Sequence, residues 1–210
     1  MYEFDKIIFS RKGYDSSNGG DYSRYDSDGK FIVLPIPVRE EEAGIGNKLR
    51  FDQIQLKPGY LLKHDASNVK QLINQLVGTM ISKTKTKKAE RSDYAHFDPM
   101  LGPCCWLDGE SKTNIGAFGQ RGTSQSHLIN KCVNKNSLFL FFSRFKPLQN
   151  GKGNLDFNID PSKGAYFLYG WLKVYRVARE YSEIQDAEIE KKHPHATLAY
   201  YQDPAHQKKQ

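Results

Sequence analysis

The stretch Asn136–Phe145, NSLFLFFSRF, is a near-continuous apolar run bounded by polar residues, the pattern of a strand buried on both faces. A second run, AYFLYGWLKVYRV at Ala165–Val177, repeats that character. The segment between them, KPLQNGKGNLDFNIDPSKG, is too long for a tight hairpin turn, although the two runs can still pair side by side. Upstream, strands and helices do not alternate as βαβ units, so an α+β class is expected. The expected architecture is one domain with a mixed or barrel-like sheet and a few helices, a PUA-like barrel being the specific form considered.

Working outward, the chain opens with alternating apolar residues over Tyr2–Phe9, expected to be a strand that runs into the loop RKGYDSSNGG. The run KFIVLPIPV at Lys30–Val38 reads as a strand that its two prolines confine to an edge or end early. Arg39–Gly46 is expected to be loop and Leu61–Lys63 extended. In SNVKQLINQLVGTMIS, Val69, Leu72, Ile73, Leu76, Val77 and Met80 recur at helical spacing, with Ser67 or Asn68 as N-cap. Short helices are expected at Ser124–Lys131 and Glu183–Lys192. No internal repeat is present.

With 210 residues and no composition shift, residues 1–210 are expected to form a single domain. Hydrophobic residues are 38% and aromatics 12%, enough for a sizeable, aromatic-heavy core and too much for a disordered chain. The net charge of +7 favours anionic partners, and the lysines concentrate in KTKTKKAER, Lys83–Arg91. Cys104, Cys105 and Cys132 cannot all pair, and neither CxxC nor a zinc spacing occurs; free thiols are expected, with Cys104 and Cys105 buried. No apolar run nears the roughly 18 residues of a membrane span, and MYEFDKIIFS lacks the basic start and cleavage site of a secretory leader. These features point to a cytoplasmic protein with no membrane partner.

Four clusters carry chemistry. In SRKGYDSSNGG, Arg11 and Lys12 offer donors to a phosphate, Asp15, Ser16 and Ser17 offer acid/base or hydrogen-bonding groups, and the glycines admit a ligand near backbone. The order of a P-loop is absent, and a solvated turn explains the segment about equally well. His96 and Asp98, two apart in an extended segment, face one way, suiting a metal or a carboxylate-oriented histidine; satisfied turn residues before Pro99 are the bland alternative. A metal needs a third ligand, from His127, His193 or His195, and the site is read without one. In GQRGTSQSH, Gln120, Arg121, Gln125 and His127 can read a base edge and hold a phosphate, whereas helix capping accounts only for a hydroxyl. His193 and His195 alternate around Pro194 and read as surface histidines in a turn.

The motifs FSRKGYDSSNGG, DGKFIVLPIP, HFDP, GAFGQRGTSQSHL, SLFLFFSRF, YGWLKV and HPH, in this order from Phe9 to His195, resemble the third of the nucleotide modification associated domain families of bacteria and their viruses. The resemblance implies a role in altering nucleobases or their nucleotide precursors. It places the family's polar motifs on Arg11, Lys12, Asp15, Ser16, Ser17, His96, Asp98, Gln120, Gln125 and His127. Two departures stand out: the family's strand motif begins Gly-Asp where this chain has Asn136-Ser137, and members commonly continue further, which implies a C-terminally shortened domain.

The function expected is therefore an enzyme modifying nucleobases in DNA or nucleotide precursors. Asp15, His96, Asp98 and His127 would be its catalytic groups, and Arg11, Lys12, Ser16, Ser17, Gln120, Arg121 and Gln125 would hold a nucleotide or nucleic acid. The residues name no cofactor. The alternatives are a non-catalytic module that binds nucleotides or modified-base nucleic acid, and an interaction protein in phage defence or counter-defence.

Overall fold

The computed structural model describes residues 4–16, 20–26, 28–38, 50–54, 66–76, 81–83, 89–91, 94–101, 116–148, 164–184, 193, 195 and 196. Within them the longest strand, β8 (Ser137–Pro147), organises a five-stranded sheet. Along one edge of β8 lie, in succession and both parallel to it, β1 (Lys6–Arg11) and β2 (Ser23–Tyr25). Along the other edge runs β9 (Ala165–Lys173), antiparallel, with a register shift opposite Phe141/Phe142. β3 (Phe31–Ile32) pairs with β2 and completes a mixed, open sheet. Two smaller antiparallel pairs join β4 (Ile36–Val38) to β7 (Tyr94–His96), and β5 (Ile81–Lys83) to β6 (Ala89–Arg91).

The α+β class and the mixed sheet agree with the sequence reading. The sheets of the described residues do not close, so the barrel form is corrected to an open one. The geometric reason is that β1 and β2 divide one edge of β8 between them, and β9 takes the other.

β8 alternates because its two faces differ. Phe139, Phe141, Ser143 and Phe145 are buried, whereas Leu140, Phe142, Arg144 and Lys146 are only half covered. On the buried face Phe145 meets Phe31 and Phe167 edge-on, and Tyr25 and Ala165 complete this aromatic cluster. The main core is separate: Tyr14, Ile32, Leu34, Phe51, Ile54 and Ala95 pack against helix α1 (Val69–Leu76) through Val69, Leu72 and Ile73. Those three positions form one helical stripe, and Asn68 caps the helix by accepting from the Gln71 N–H at 3.0 Å. Val77 and Met80, expected on the same helix, lie outside the described residues, and a strand is described from Ile81, in register with Arg91. Helix α2 (Thr123–Asn130) lies where expected, buries no residue, and is held at its C-terminal end by Lys6 Nζ, which donates to the carbonyls of Lys131 and Cys132.

Other boundaries moved. The first strand begins at Lys6, and Lys30–Val38 splits into β3 and β4 because Pro35 interrupts the backbone donors. Tyr181–Glu183 is a 3-10 turn. Cys132 is an exposed free thiol. Arg39–Gly46, Leu61–Lys63, Cys104, Cys105, most of Glu183–Lys192 and most of the lysine tract lie outside the described residues.

The second apolar run departs from the sequence reading in burial. β9 covers only one of its faces; Tyr166 (59% exposed), Leu168 and Trp171 (65% exposed) face outward. The register aligns these with exposed Phe9 and half-covered Leu140 in one row, and with Arg11 and Phe142 in the next. Cations interleave: Arg11 and Arg144 each approach the Tyr166 ring at 5.9 Å, and Arg144 and Lys146 flank Tyr22 at 5.3 and 4.7 Å.

Candidate functional site

The loop after β1 is a detour from the edge of β8. Lys12 N–H still donates to the Phe142 carbonyl at 3.0 Å, the chain then leaves, and Ser23 rejoins the same strand opposite Phe145. Gly13, at φ +104°, makes the departure, a conformation that side-chain-bearing residues rarely adopt. Tyr14 plunges into the main core, so the polar loop is anchored by an aromatic ring that the sequence reading did not single out. Arg11 and Lys12 diverge as strand neighbours must. Arg11 pairs with buried Asp15 at 2.7 Å, while Lys12 turns to the opposite side and meets Asp98 at 3.4 Å.

Asp98 is the centre of the site. It follows β7, and its peptide bond to Pro99 is cis. Beyond it, Met100 and Ala117 exchange two backbone hydrogen bonds of 2.8 Å, which lays residues 117–120 beside the Asp98 segment. Phe118 fixes that strip by packing on Phe139 and Phe141 of β8, and Lys12 Nζ lies 5.1 Å from the Phe118 ring centroid. Gly119 N–H then donates to Asp98 Oδ1 at 3.0 Å, and Gln120 Nε2 reaches Oδ2 at 3.4 Å.

The His-Pro-His segment closes the other side. His193, expected on the surface, is buried and lies with Nε2 3.3 Å from Asp98 Oδ1. Its Nδ1 accepts the backbone N–H of His195 at 3.2 Å, so it is the Nε2–H that is directed at the carboxylate. His195 Nε2 stands 3.8 Å from Asp98 Oδ2, and its ring meets His96 edge-on at 5.1 Å. A Cβ at Gly119 would come within 2.6–2.8 Å of the His195 Cβ and ring carbons, so only glycine admits the imidazole here. The surface reading failed because the partner of this segment is 95 residues away in sequence.

Electrostatics follow from burial. Burial alone would raise Asp98, but the hydrogen bond from His193, with the Lys12 cation, outweighs it and holds the carboxyl well below its ordinary range. Burial pushes His96 down to about 4 and His195 down to about 3, with Asp98 opposing only in part, so both imidazoles are neutral at pH 7. Among the described residues the buried His96 Nδ1 atom has no hydrogen-bond partner. Burial, reinforced by the Asp98 charge, pushes the Tyr169 phenol up; it stays protonated on the inner side of β9, and its buried oxygen has no hydrogen-bond partner among the described residues.

Of the residues singled out from sequence, Lys12, His96, Asp98 and Gln120 converge, and Arg121 is close enough for its charge to be felt at both His96 and His195. Arg11 and Asp15 form their own pair, and Ser16 is half-buried in the same loop. Gln125 is half-buried on α2 and His127 is exposed there; among the described residues neither contacts Asp98. Ser17 lies outside the described residues. Gly119 and Tyr169 are not singled out by the sequence, and His193 and His195 enter it only as candidates for a third metal ligand and as surface histidines in a turn. The usable signal was that HPH repeats the alternating spacing of His96 and Asp98.

Residues 6–206 match the model of the family described as nucleotide modification associated domain 3. No curated protein and no solved structure matches the chain.

Proposed function

Because the chain belongs to the nucleotide modification associated domain 3 family, we propose that it is an enzyme that modifies nucleobases, in DNA or in nucleotide precursors, at the Asp98 centre. The observation that carries this reading is the convergence on one buried, ionised carboxylate of Lys12, Gly119, Gln120, His193 and His195 from three remote segments. Titratable groups perturbed by burial and by a specific charged partner mark candidate functional sites.

The groups divide by chemistry. Lys12 and Arg121 are the cations at the centre and suit a nucleotide phosphate. Gln120 spends its amide N–H on the Gly119 carbonyl at 2.6 Å and on Asp98, which leaves its Oε1 to accept from a base edge. Neutral His96 can take a proton, and the protonated Tyr169 phenol can give a hydrogen bond. Asp15 would act through Arg11 at the sheet edge, not at Asp98 itself. The test is mass spectrometry of DNA nucleosides and nucleotide pools from cells with and without the protein, with His96→Gln as the control. A new or depleted species that depends on His96 is expected; identical profiles in all three samples would refute the reading.

A second reading, a module that binds single-stranded nucleic acid without turnover, is favoured by one observation: the outward rows of Phe9, Trp171 and Tyr166 interleaved with Arg11, Arg144 and Lys146. Exposed rings stack bases and the cations meet phosphates.

A further inference from the structure

We propose that His96, Asp98 and His195 form a binding site for one divalent first-row transition ion, such as Zn(II) or Fe(II), with coordination positions left open. Their ligating atoms lie within 4.8 Å of one another. Two imidazoles and one carboxylate are a donor set for zinc or non-haem iron, not for magnesium or calcium, which take mostly oxygen ligands.

The surroundings prepare each ligand. Asp98 Oδ1 is pinned by Gly119 N–H at 3.0 Å and by His193 at 3.3 Å, the outer support that ligating carboxylates use. Oδ2 is held loosely, by Lys12 and Gln120 at 3.4 Å each, and is the oxygen that faces His195 Nε2 at 3.8 Å. Metal–ligand bonds of about 2.0–2.2 Å place ligating atoms roughly 3.3 Å apart in a tetrahedron, so the pair already at 3.8 Å needs to close by only about half an ångström. His96 Nδ1 is buried with no hydrogen-bond partner among the described residues, and an ion is one group that would satisfy such an atom. Gly119 gives His195 the room to reach the site.

Lys12 is the competitor. Its ammonium rests against Oδ2 and must withdraw when an ion binds, which makes the lysine a brake on affinity. The proposal concerns the same centre as the enzymatic reading but stands on geometry alone. Binding is measured without substrate, so absence of base modification in cells would refute that reading and leave the metal site standing.

The experiment titrates the full-length, chelator-treated chain with Zn(II), and with Co(II) as a spectroscopic probe, while calorimetry and visible absorption are recorded. One equivalent is expected, with Co(II) bands of a nitrogen- and oxygen-ligated ion. His96→Gln and His195→Gln should each weaken binding at least about 100-fold, Gly119→Ala should weaken it by displacing His195, and Lys12→Met should tighten it. His127→Gln, on exposed α2, should bind as the parent does. Circular dichroism confirms that each variant is folded. Should the histidine variants unfold, the parent protein still decides, because Zn(II) must shift the ring resonances of His96 and His195 and leave His127 unmoved. Binding that is absent, survives the loss of His96 or His195 in folded protein, or shifts only His127 overturns the proposal.

Discussion

Replacing Asp98 by Asn separates a carboxylate that holds the structure together from one that merely occupies a turn. An amide keeps the shape and, with its oxygen in the Oδ1 position, still accepts from Gly119 and His193. Its NH2 must then face Lys12 Nζ and Gln120 Nε2, setting donor against donor. Breaking a fully buried ion pair costs about 3–5 kcal/mol, but Lys12 is 19% exposed and can retreat toward water, so a cost of about 3 kcal/mol is expected. With a urea slope of about 2 kcal/mol/M, the unfolding midpoint should fall by roughly 1.5 M. Lys12→Met removes the stranded cation, so the double variant should recover at least about 1.5 kcal/mol relative to the sum of the single variants. Asp15→Asn is the comparison: its partner Arg11 is 41% exposed, and screening limits that loss to under about 1 kcal/mol. Strict additivity of the Asp98 and Lys12 substitutions, or equal losses for Asp98→Asn and Asp15→Asn, would refute the reasoning.

Acid should destabilise the metal-free protein above the range where carboxylates titrate. His96 and His195 are held neutral when folded, at about 4 and about 3, but accept protons near 6.5 when unfolded. Stability is therefore complete above pH 6.5 and is lost as pH falls toward the folded values, by about 2 kcal/mol per histidine between pH 6.5 and 5. Denaturant titrations at the two pH values check this, and an unchanged midpoint would contradict it. On the outer sheet face, Phe9→Ala and Trp171→Ala should each weaken affinity for a single-stranded oligonucleotide by roughly 10-fold or more while leaving the melting temperature near its parent value, since both rings are 65% exposed. Fluorescence anisotropy decides, and unaltered affinity would remove the second reading.

Local pattern made much of the framework legible. The run at Asn136–Phe145 became the central strand, the stripe Val69, Leu72 and Ile73 became the buried side of α1, and the two apolar runs pair directly. What was not legible depends on contacts between distant segments. Nothing local to His193-Pro194-His195 shows that Asp98 will lie against it, and nothing local to Ala165–Val177 shows that only one face will be covered. Asp15 drew attention as the acid after a strand, yet alternation along that strand sends Lys12 to Asp98 and leaves Asp15 with Arg11. The polar triplet of loop, HFDP and GQ was thus found, but its centre of gravity lay one segment further on.

The parallel pairing of β1 with β8 also dictates when the protein can come into being. Lys6 finds its partner only at Ser137, so β1 emerges from the ribosome long before β8 exists for it to pair with, and β2, although β3 follows it closely, waits for Phe145 to join the sheet. Chains dominated by such distant pairings fold slowly and expose apolar segments while they wait. Lys12 cannot reach its place until β8 has been synthesised, and the centre lacks His193 and His195 until the chain has passed them. The centre is therefore completed late, and a chain cut before His193 lacks two of the groups that face Asp98.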